Sequence, residues 1–159
     1  MFFGNQNAKI HISLVSNPYC GFCKEAHAIA EQLIKRFREE ISLQIRFNFS
    51  EDEPEKYQKL ISVFSKIYNY HDETILDALT YWYETNDLEG LMNKFKISSN
   101  SGRHLDVYEN IGEENFEKQL NFTPVILING YLFPEKYERS DIMYFVDDLL
   151  EDEEIINEV

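Results

Sequence analysis

The chain is short of cysteine: among 159 residues there are two, Cys20 and Cys23. Two thiols this close in sequence cannot staple a fold, which excludes a disulfide-built scaffold and leaves redox or metal chemistry as the reading of the pair. Positive charge is also scarce, since 15 Lys and Arg stand against 29 Asp and Glu for a net charge of −14. Such a surface repels polyanions, so no nucleic acid and no acidic membrane surface is expected as a partner, and protein or small-thiol substrates fit better. No apolar run approaches the roughly 20 residues that a bilayer-spanning helix needs. The opening Met1-Phe2-Phe3-Gly4-Asn5-Gln6 lacks the basic and apolar regions of a secretory signal. The compartment stays open all the same, because a mature form or a domain cut from a larger membrane protein would read identically. With few Gly and Pro, no repeat and no low-complexity linker, 43% hydrophobic and 14% aromatic residues suffice for one well-buried core. A single domain over 1–159 is expected.

The cysteines sit in Asn17-Pro18-Tyr19-Cys20-Gly21-Phe22-Cys23-Lys24, between a strand-like and a helix-like segment. At the start of a helix, a Cys-X-X-Cys pair sets its first sulfur beside unpaired backbone N–H groups and the positive end of the helix dipole, which favour thiolate over thiol. Cys20 is therefore the candidate nucleophile. Cys23, about one helical turn further on, is close enough to attack a mixed disulfide formed at Cys20 and so release the other partner.

Around this motif the periodicities are clear. Ile10, Ile12 and Leu14 alternate with His11 and Ser13 as in a strand, and Asn17-Pro18 stops it. Phe22, Ala26, Ile29, Ala30, Leu33, Ile34 and Phe37 recur at helical spacing. Ile41, Leu43, Ile45, Phe47 and Phe49 alternate with polar residues, predicting a second strand with one wetter face. From about residue 54 to 97 the pattern turns helical in three runs carrying Leu60 to Tyr68, Leu76 to Tyr83 and Leu88 to Phe95, with Pro54, Asp72 and Asn86 or Asp87 as start signals. Ser98 to Gly102 reads as a loop, and residues 103–119 as helix that Gly112 breaks or kinks. Val125-Ile126-Leu127-Ile128, Asn129-Gly130 and Tyr131-Leu132-Phe133 predict a hairpin with a type I′ turn. Ser140 is placed to cap a last helix carrying Ile142 to Leu150, and the acidic run Glu151 to Glu154 reads as a frayed end.

This order, with Cys-X-X-Cys opening the first helix and Thr123-Pro124 opening the strand at Val125, resembles the thioredoxin superfamily over almost the whole chain. The helical insertion at about 54–97 looks like its disulfide-bond (Dsb) branch. Asn17-Pro18-Tyr19-Cys20, Ala26-His27 and Thr123-Pro124 through Asn129-Gly130-Tyr131-Leu132 with Pro134 look like bacterial thioredoxin-like domains fused to vitamin K epoxide reductase homologues. The resemblance implies an α/β thioredoxin fold, a central four-stranded mixed sheet flanked by helices. It implies a protein thiol–disulfide oxidoreductase, used as an oxidase in disulfide formation, with no cofactor beyond a Cys20–Cys23 disulfide. It implies a cis bond before Pro124 and, beside Cys20, a Thr123 backbone on which an extended peptide can pair. It also implies protein or peptide thiols and disulfides as substrates, an extracytoplasmic location, and a membrane quinone-coupled reductase homologue as redox partner. Two departures stand out. The family's buried acid, six residues before the nucleophile, is replaced by Leu14, leaving no proton acceptor assigned to Cys23. Gly21-Phe22 replaces thioredoxin's Gly-Pro and is similar to the Gly-Tyr of disulfide isomerases.

Other readings compete at several positions. The cysteines can be buried core residues or metal ligands, with His27 as a third ligand while His11, His71 and His104 are scattered; a non-catalytic peptide- or metal-binding module is the alternative function. His27 is expected on the helix flank, with a tuning role toward Cys20 as the competing use. Tyr19 and Phe22 are candidate substrate contacts, for Tyr19 against simple loop packing. Lys24 is expected to be a solvated charge. Trp82 either glues the helical insertion to the core or lines an apolar groove.

Overall fold

The computed structural model describes residues 1–48, 54–70, 74–98, 113–120 and 122–152. Its strands are β1 (Phe2–Gly4), β2 (Ile10–Ser16), β3 (Ile41–Phe47), β4 (Val125–Ile128) and β5 (Tyr131–Leu132). They form one five-stranded sheet in the order β1-β3-β2-β4-β5. Its helices are α1 (Cys23–Phe37), α2 (Pro54–Tyr70), α3 (Thr74–Thr85), α4 (Leu88–Lys94) and α5 (Ile142–Glu151), the last preceded by a 3₁₀ turn at Arg139–Asp141. Residues 113–117 are helical as well. This is the expected α/β thioredoxin-like fold with one strand more than the four anticipated. Phe2–Gly4 is too short to show alternation; it is an edge strand because Phe3 pairs antiparallel with Leu43. Gly4, at φ +75°, lets the chain pass so close to the Ile41 carbonyl that a Cβ would collide with it.

β2 is the centre of the sheet, parallel to β3 with Leu14 opposite Ile45, and antiparallel to β4 with Val15 opposite Val125. A parallel β2–β3 pair needs a crossover, and α1 supplies it. The register of β4 sets Thr123 and Pro124 at the end of β2 from which the chain turns into the cysteine motif. The hairpin turn is a left-handed pair, Asn129 at φ 49° and Gly130 at φ 83°, as a type I′ turn requires. It is fastened to β2 from both sides: the His11 N–H donates to Asn129 Oδ1 at 2.6 Å, and the Asn129 N–H to the His11 carbonyl at 2.7 Å.

One hydrophobic cluster joins Ile12, Leu14, Leu43 and Ile45 of the sheet, Ala30 and Leu33 of α1, and Phe64, Leu79 and Trp82 of α2 and α3. Full burial of each such aliphatic or aromatic side chain contributes about 1.5–3 kcal/mol against the entropy of ordering the chain. The wetter face of β3 is covered too, since Arg46 donates to Asn115 Oδ1 at 3.0 Å and pairs with Glu114 at 2.8 Å. α5 buries Ile142 and Val146 and is tied to α1 by Arg36–Asp147. Asp87 caps α4, accepting from the Gly90 N–H at 3.0 Å.

Three local expectations are corrected. Ser140 does not cap the last helix, because it lies inside the 3₁₀ turn that Glu138 and Asp141 close with a reciprocal capping box. Phe22 is outside α1 and 75% exposed rather than on its apolar face. His27 is buried rather than on a flank. Phe49, His71, Asp72, Ser99 to Gly102, residues 103–112 including His104, and Glu153 onward lie outside the described residues. Among the described residues no helix is long and apolar enough to cross a membrane.

Candidate active site

Both cysteines are present as thiols, Cys20 half-buried and Cys23 fully buried. α1 begins at Cys23, with Phe22 as its N-cap. Cys20 is therefore in the turn that precedes the helix, not in its first turn. That turn is closed by the Cys20 N–H to the Asn17 carbonyl at 3.0 Å and by the Cys23 N–H to the Cys20 carbonyl at 3.1 Å. Asn17 builds it from the inside: its Oδ1 accepts from the Tyr19 N–H at 2.8 Å, an Asx turn. Pro18, with its fixed φ and missing donor, follows where continuation of β2 has to stop.

The two sulfurs meet different environments. Burial pushes the Cys20 thiol up, but hydrogen bonds from the Cys23 thiol, the Thr123 side chain and the backbone N–H groups of Cys23 and Phe22 outweigh it and hold Cys20 below the ordinary thiol range. As a thiol, Cys20 Sγ donates to the Thr123 carbonyl at 3.7 Å. Burial likewise raises Cys23, and here it wins, although the Asn17 N–H at 3.5 Å and the Ser16 hydroxyl both act on its sulfur to lower it. Within one motif the outer thiol is thus disposed to ionise and the inner one to keep its proton.

Thr123 and Pro124 stand against the motif through the β2–β4 register, and their peptide bond is cis. Phe22 projects from the rim. Tyr19 is half-buried and packs edge-on against Tyr57 and Trp82, at 5.0 and 5.4 Å between ring centroids, with the Lys56 ammonium 4.0 Å from its ring. Loop packing thus occupies much of Tyr19. Trp82 is 3% exposed, so it is glue and not groove. Lys24 is exposed.

Among the described residues, metal ligation by the cysteine pair finds no third partner. His27 Nε2 is 3.3 Å from the Thr80 hydroxyl, and its ring lies 5.5 Å from that of Tyr83. Among the described residues, no group of three His, Cys, Asp or Glu side chains is placed to share an ion.

Sequence reasoning missed three residues at the floor of the site: Ser16, Asn17 as a donor to sulfur, and Tyr83. Asn17 carried a signal in its position before Pro18. Tyr83 carried none, since only the docking of α3 brings it to the cysteines.

The family described as Thioredoxin matches residues 1–148. Among solved structures, a periplasmic thioredoxin-like protein from Salmonella enterica serovar Typhimurium is similar at TM-score 0.75 and 11% identity, over 95% of this chain and 90% of that one. The catalytic domain of Proteus mirabilis ScsC is similar at TM-score 0.74 and 16% identity, over 95% and 89%. The thiol-disulfide exchange protein alpha-DsbA2 from Wolbachia pipientis is similar at TM-score 0.73 and 18% identity, over 93% and 86%. No curated protein matches the sequence.

Proposed function

Because the chain belongs to the thioredoxin family, and because its two thiols are held so unequally, we propose that it is a protein thiol–disulfide oxidoreductase working through Cys20 and Cys23. The observation that carries this reading is the asymmetry itself: a half-exposed sulfur disposed to ionise, backed by a sealed one that keeps its proton. Exchange needs an accessible thiolate for the intermolecular step and a protected thiol for the intramolecular one.

As an oxidase, the Cys20–Cys23 disulfide is attacked at Cys20 by a substrate thiolate, and the electron pair of the broken bond leaves on Cys23. A second substrate thiolate then attacks the substrate sulfur of the mixed disulfide and displaces Cys20, so the substrate is oxidised and the pair reduced. In the reductive direction Cys20 attacks a substrate disulfide and Cys23 resolves it. No cofactor beyond the pair is called for. Thr123, whose carbonyl already faces Cys20, offers backbone groups to an extended substrate, and Pro124, Tyr19 and the exposed ring of Phe22 are the other substrate contacts in this reading. We assign the oxidase direction, an extracytoplasmic setting and reoxidation by a membrane quinone-coupled reductase homologue. The support for these is the likeness of the Asn17–Cys20 and Thr123–Leu132 segments to domains fused to such reductases, and the periplasmic source of the Salmonella protein.

The test is a thiol titration followed by a redox titration against glutathione. Two thiols that appear only after reduction support the reading, whereas thiols released by a chelator favour a metal-binding module. A potential near roughly −120 mV supports the oxidase direction, and one near roughly −270 mV assigns a reductase.

A further inference from the structure

Cys23 is 0% exposed, so bulk water does not solvate its sulfur as a thiolate and stabilisation of that charge has to come from protein donors. Among the described residues no carboxylate acts on it, and Leu14, where the resembled family carries its acid, is buried hydrocarbon. The donor that reaches it is main chain: the Asn17 N–H points at Cys23 Sγ at 3.5 Å. The peptide that bears this N–H is pinned at its other end. The Ser16 carbonyl accepts from the Asn48 N–H at 2.7 Å, and a trans peptide sets its two polar groups on opposite sides.

Asn17 itself is held by two helices of the insertion. Its carbonyl accepts from the Tyr83 hydroxyl of α3 at 3.3 Å and from the Cys20 N–H at 3.0 Å. Its side-chain Oδ1 accepts from the Tyr19 N–H at 2.8 Å, which fixes the orientation of the amide. Nδ2 then donates to the hydroxyl of Tyr57 on α2 at 3.2 Å, an oxygen that is also 3.4 Å from Oδ1. Tyr57 is buried, and its ring packs edge-on against that of Tyr19. The first turn of α2 is therefore bonded to the residue whose N–H meets the inner sulfur. Among the described residues, the titratable groups facing Cys23 are Cys20 from the motif turn and Tyr83 from α3. His27, one turn along α1, lies against Tyr83, and Lys56 of α2 has its ammonium over the Tyr19 ring.

We infer, on the oxidoreductase reading, that the Asn17 main-chain N–H is the donor that stabilises Cys23 as a thiolate during disulfide exchange, and that Tyr57 is the positioning residue that holds Asn17 in place through its side-chain amide. In the resolving step the Cys23 sulfur bonds to Cys20, the Cys20–substrate bond breaks with its electron pair on the substrate sulfur, and the proton lost by Cys23 ends on that sulfur. The pair is oxidised and the substrate disulfide reduced. In the reverse direction the same N–H stabilises Cys23 as leaving group. The helical insertion thus acts on the chemistry through one phenol, beyond covering the sheet.

The experiment mixes the reduced full chain with dipyridyl disulfide in a stopped-flow instrument. Its two thiopyridone groups are released in turn: the first reports attack by Cys20 and the second resolution by Cys23. Tyr57→Phe, which keeps the ring against Tyr19, is expected to slow the second phase relative to the first by about fivefold, the scale of one hydrogen bond, and to move its pH inflection upward. Asn17→Ala keeps the N–H but loses both side-chain bonds, so its second phase should slow at least as much. In the Asn17→Ala background Tyr57→Phe should then add nothing, because the link it cuts is already gone. A second-phase inflection at the wild-type pH in Tyr57→Phe overturns the assignment by itself, whether or not Asn17→Ala folds. Equal slowing of both phases, or a double variant slowed by the product of the two single effects, overturns it too. A wild-type protein that releases no second thiopyridone overturns the oxidoreductase reading itself, which separates the two failures.

Discussion

The indole N–H of Trp82 donates to the carbonyl of Pro18 at 2.7 Å, inside the protein. One bond thus ties α3 to the turn two residues before Cys20. Trp82→Phe keeps most of the ring packing against Tyr19 and Phe64 but leaves the Pro18 carbonyl buried without this donor. The expected loss is about 1–3 kcal/mol of folding stability, read from the shift in the urea midpoint at unchanged slope. An unshifted midpoint would show that the bond contributes nothing.

The thiols should titrate apart. Cys20 is held below the ordinary thiol range and Cys23 above it, so the reactive thiolate appears at Cys20 first as pH rises. Alkylation of the reduced protein across a pH series, located by peptide mass, is expected to label Cys20 at lower pH and faster than Cys23. The opposite order contradicts the assignment of nucleophile.

His27 makes the fold sensitive to acid. Burial holds its pKa below the ordinary value, against the opposing pull of Glu31 and a bond at Leu76. The unfolded chain therefore takes up a proton that the folded one resists. This contribution to stability is fully present above the folded and unfolded pKa values, and it is lost progressively as pH falls through the unfolded value near about 6.5. His27→Gln removes the titration, so its urea midpoint should fall less steeply between neutral and mildly acid pH. A slope identical to wild type would mean that His27 titrates normally.

Phe22 is three-quarters exposed, so Phe22→Ala should change stability by no more than about 0.5 kcal/mol. If the ring contacts substrate, KM for a peptide disulfide rises while KM for a small aliphatic disulfide does not. An unchanged KM for the peptide, or an equal rise for both disulfides, would remove Phe22 from the site.

The strand–turn–helix around Cys20 was legible because its signals are local: alternation up to Val15, Pro18 as a stop, and helical spacing from Ala26 onward. Asn129-Gly130 announced its own turn for the same reason, since only certain residues tolerate two positive φ angles in succession. β1 was not legible, because three residues show no period and the pairing that makes Phe3 a strand is supplied by β3, forty residues away. Tyr83 and Trp82 read as helix-face aromatics, which they are. That one reaches Ser16 and the other Pro18 depends on how α3 docks, a tertiary fact with no local signal. His27 was misplaced by the same gap: a helix flank turned outward in the amphipathic pattern is covered by Thr80 and Tyr83 of a neighbour.

The central claim is that Cys20 attacks and Cys23 resolves. It is tested most directly by presenting Cys23→Ser with a peptide disulfide and weighing the product intact. A stable adduct of one peptide thiol on Cys20, absent from Cys20→Ser and resolved at once in the wild type, is the predicted result. Turnover by Cys20→Ser at the wild-type rate would contradict it.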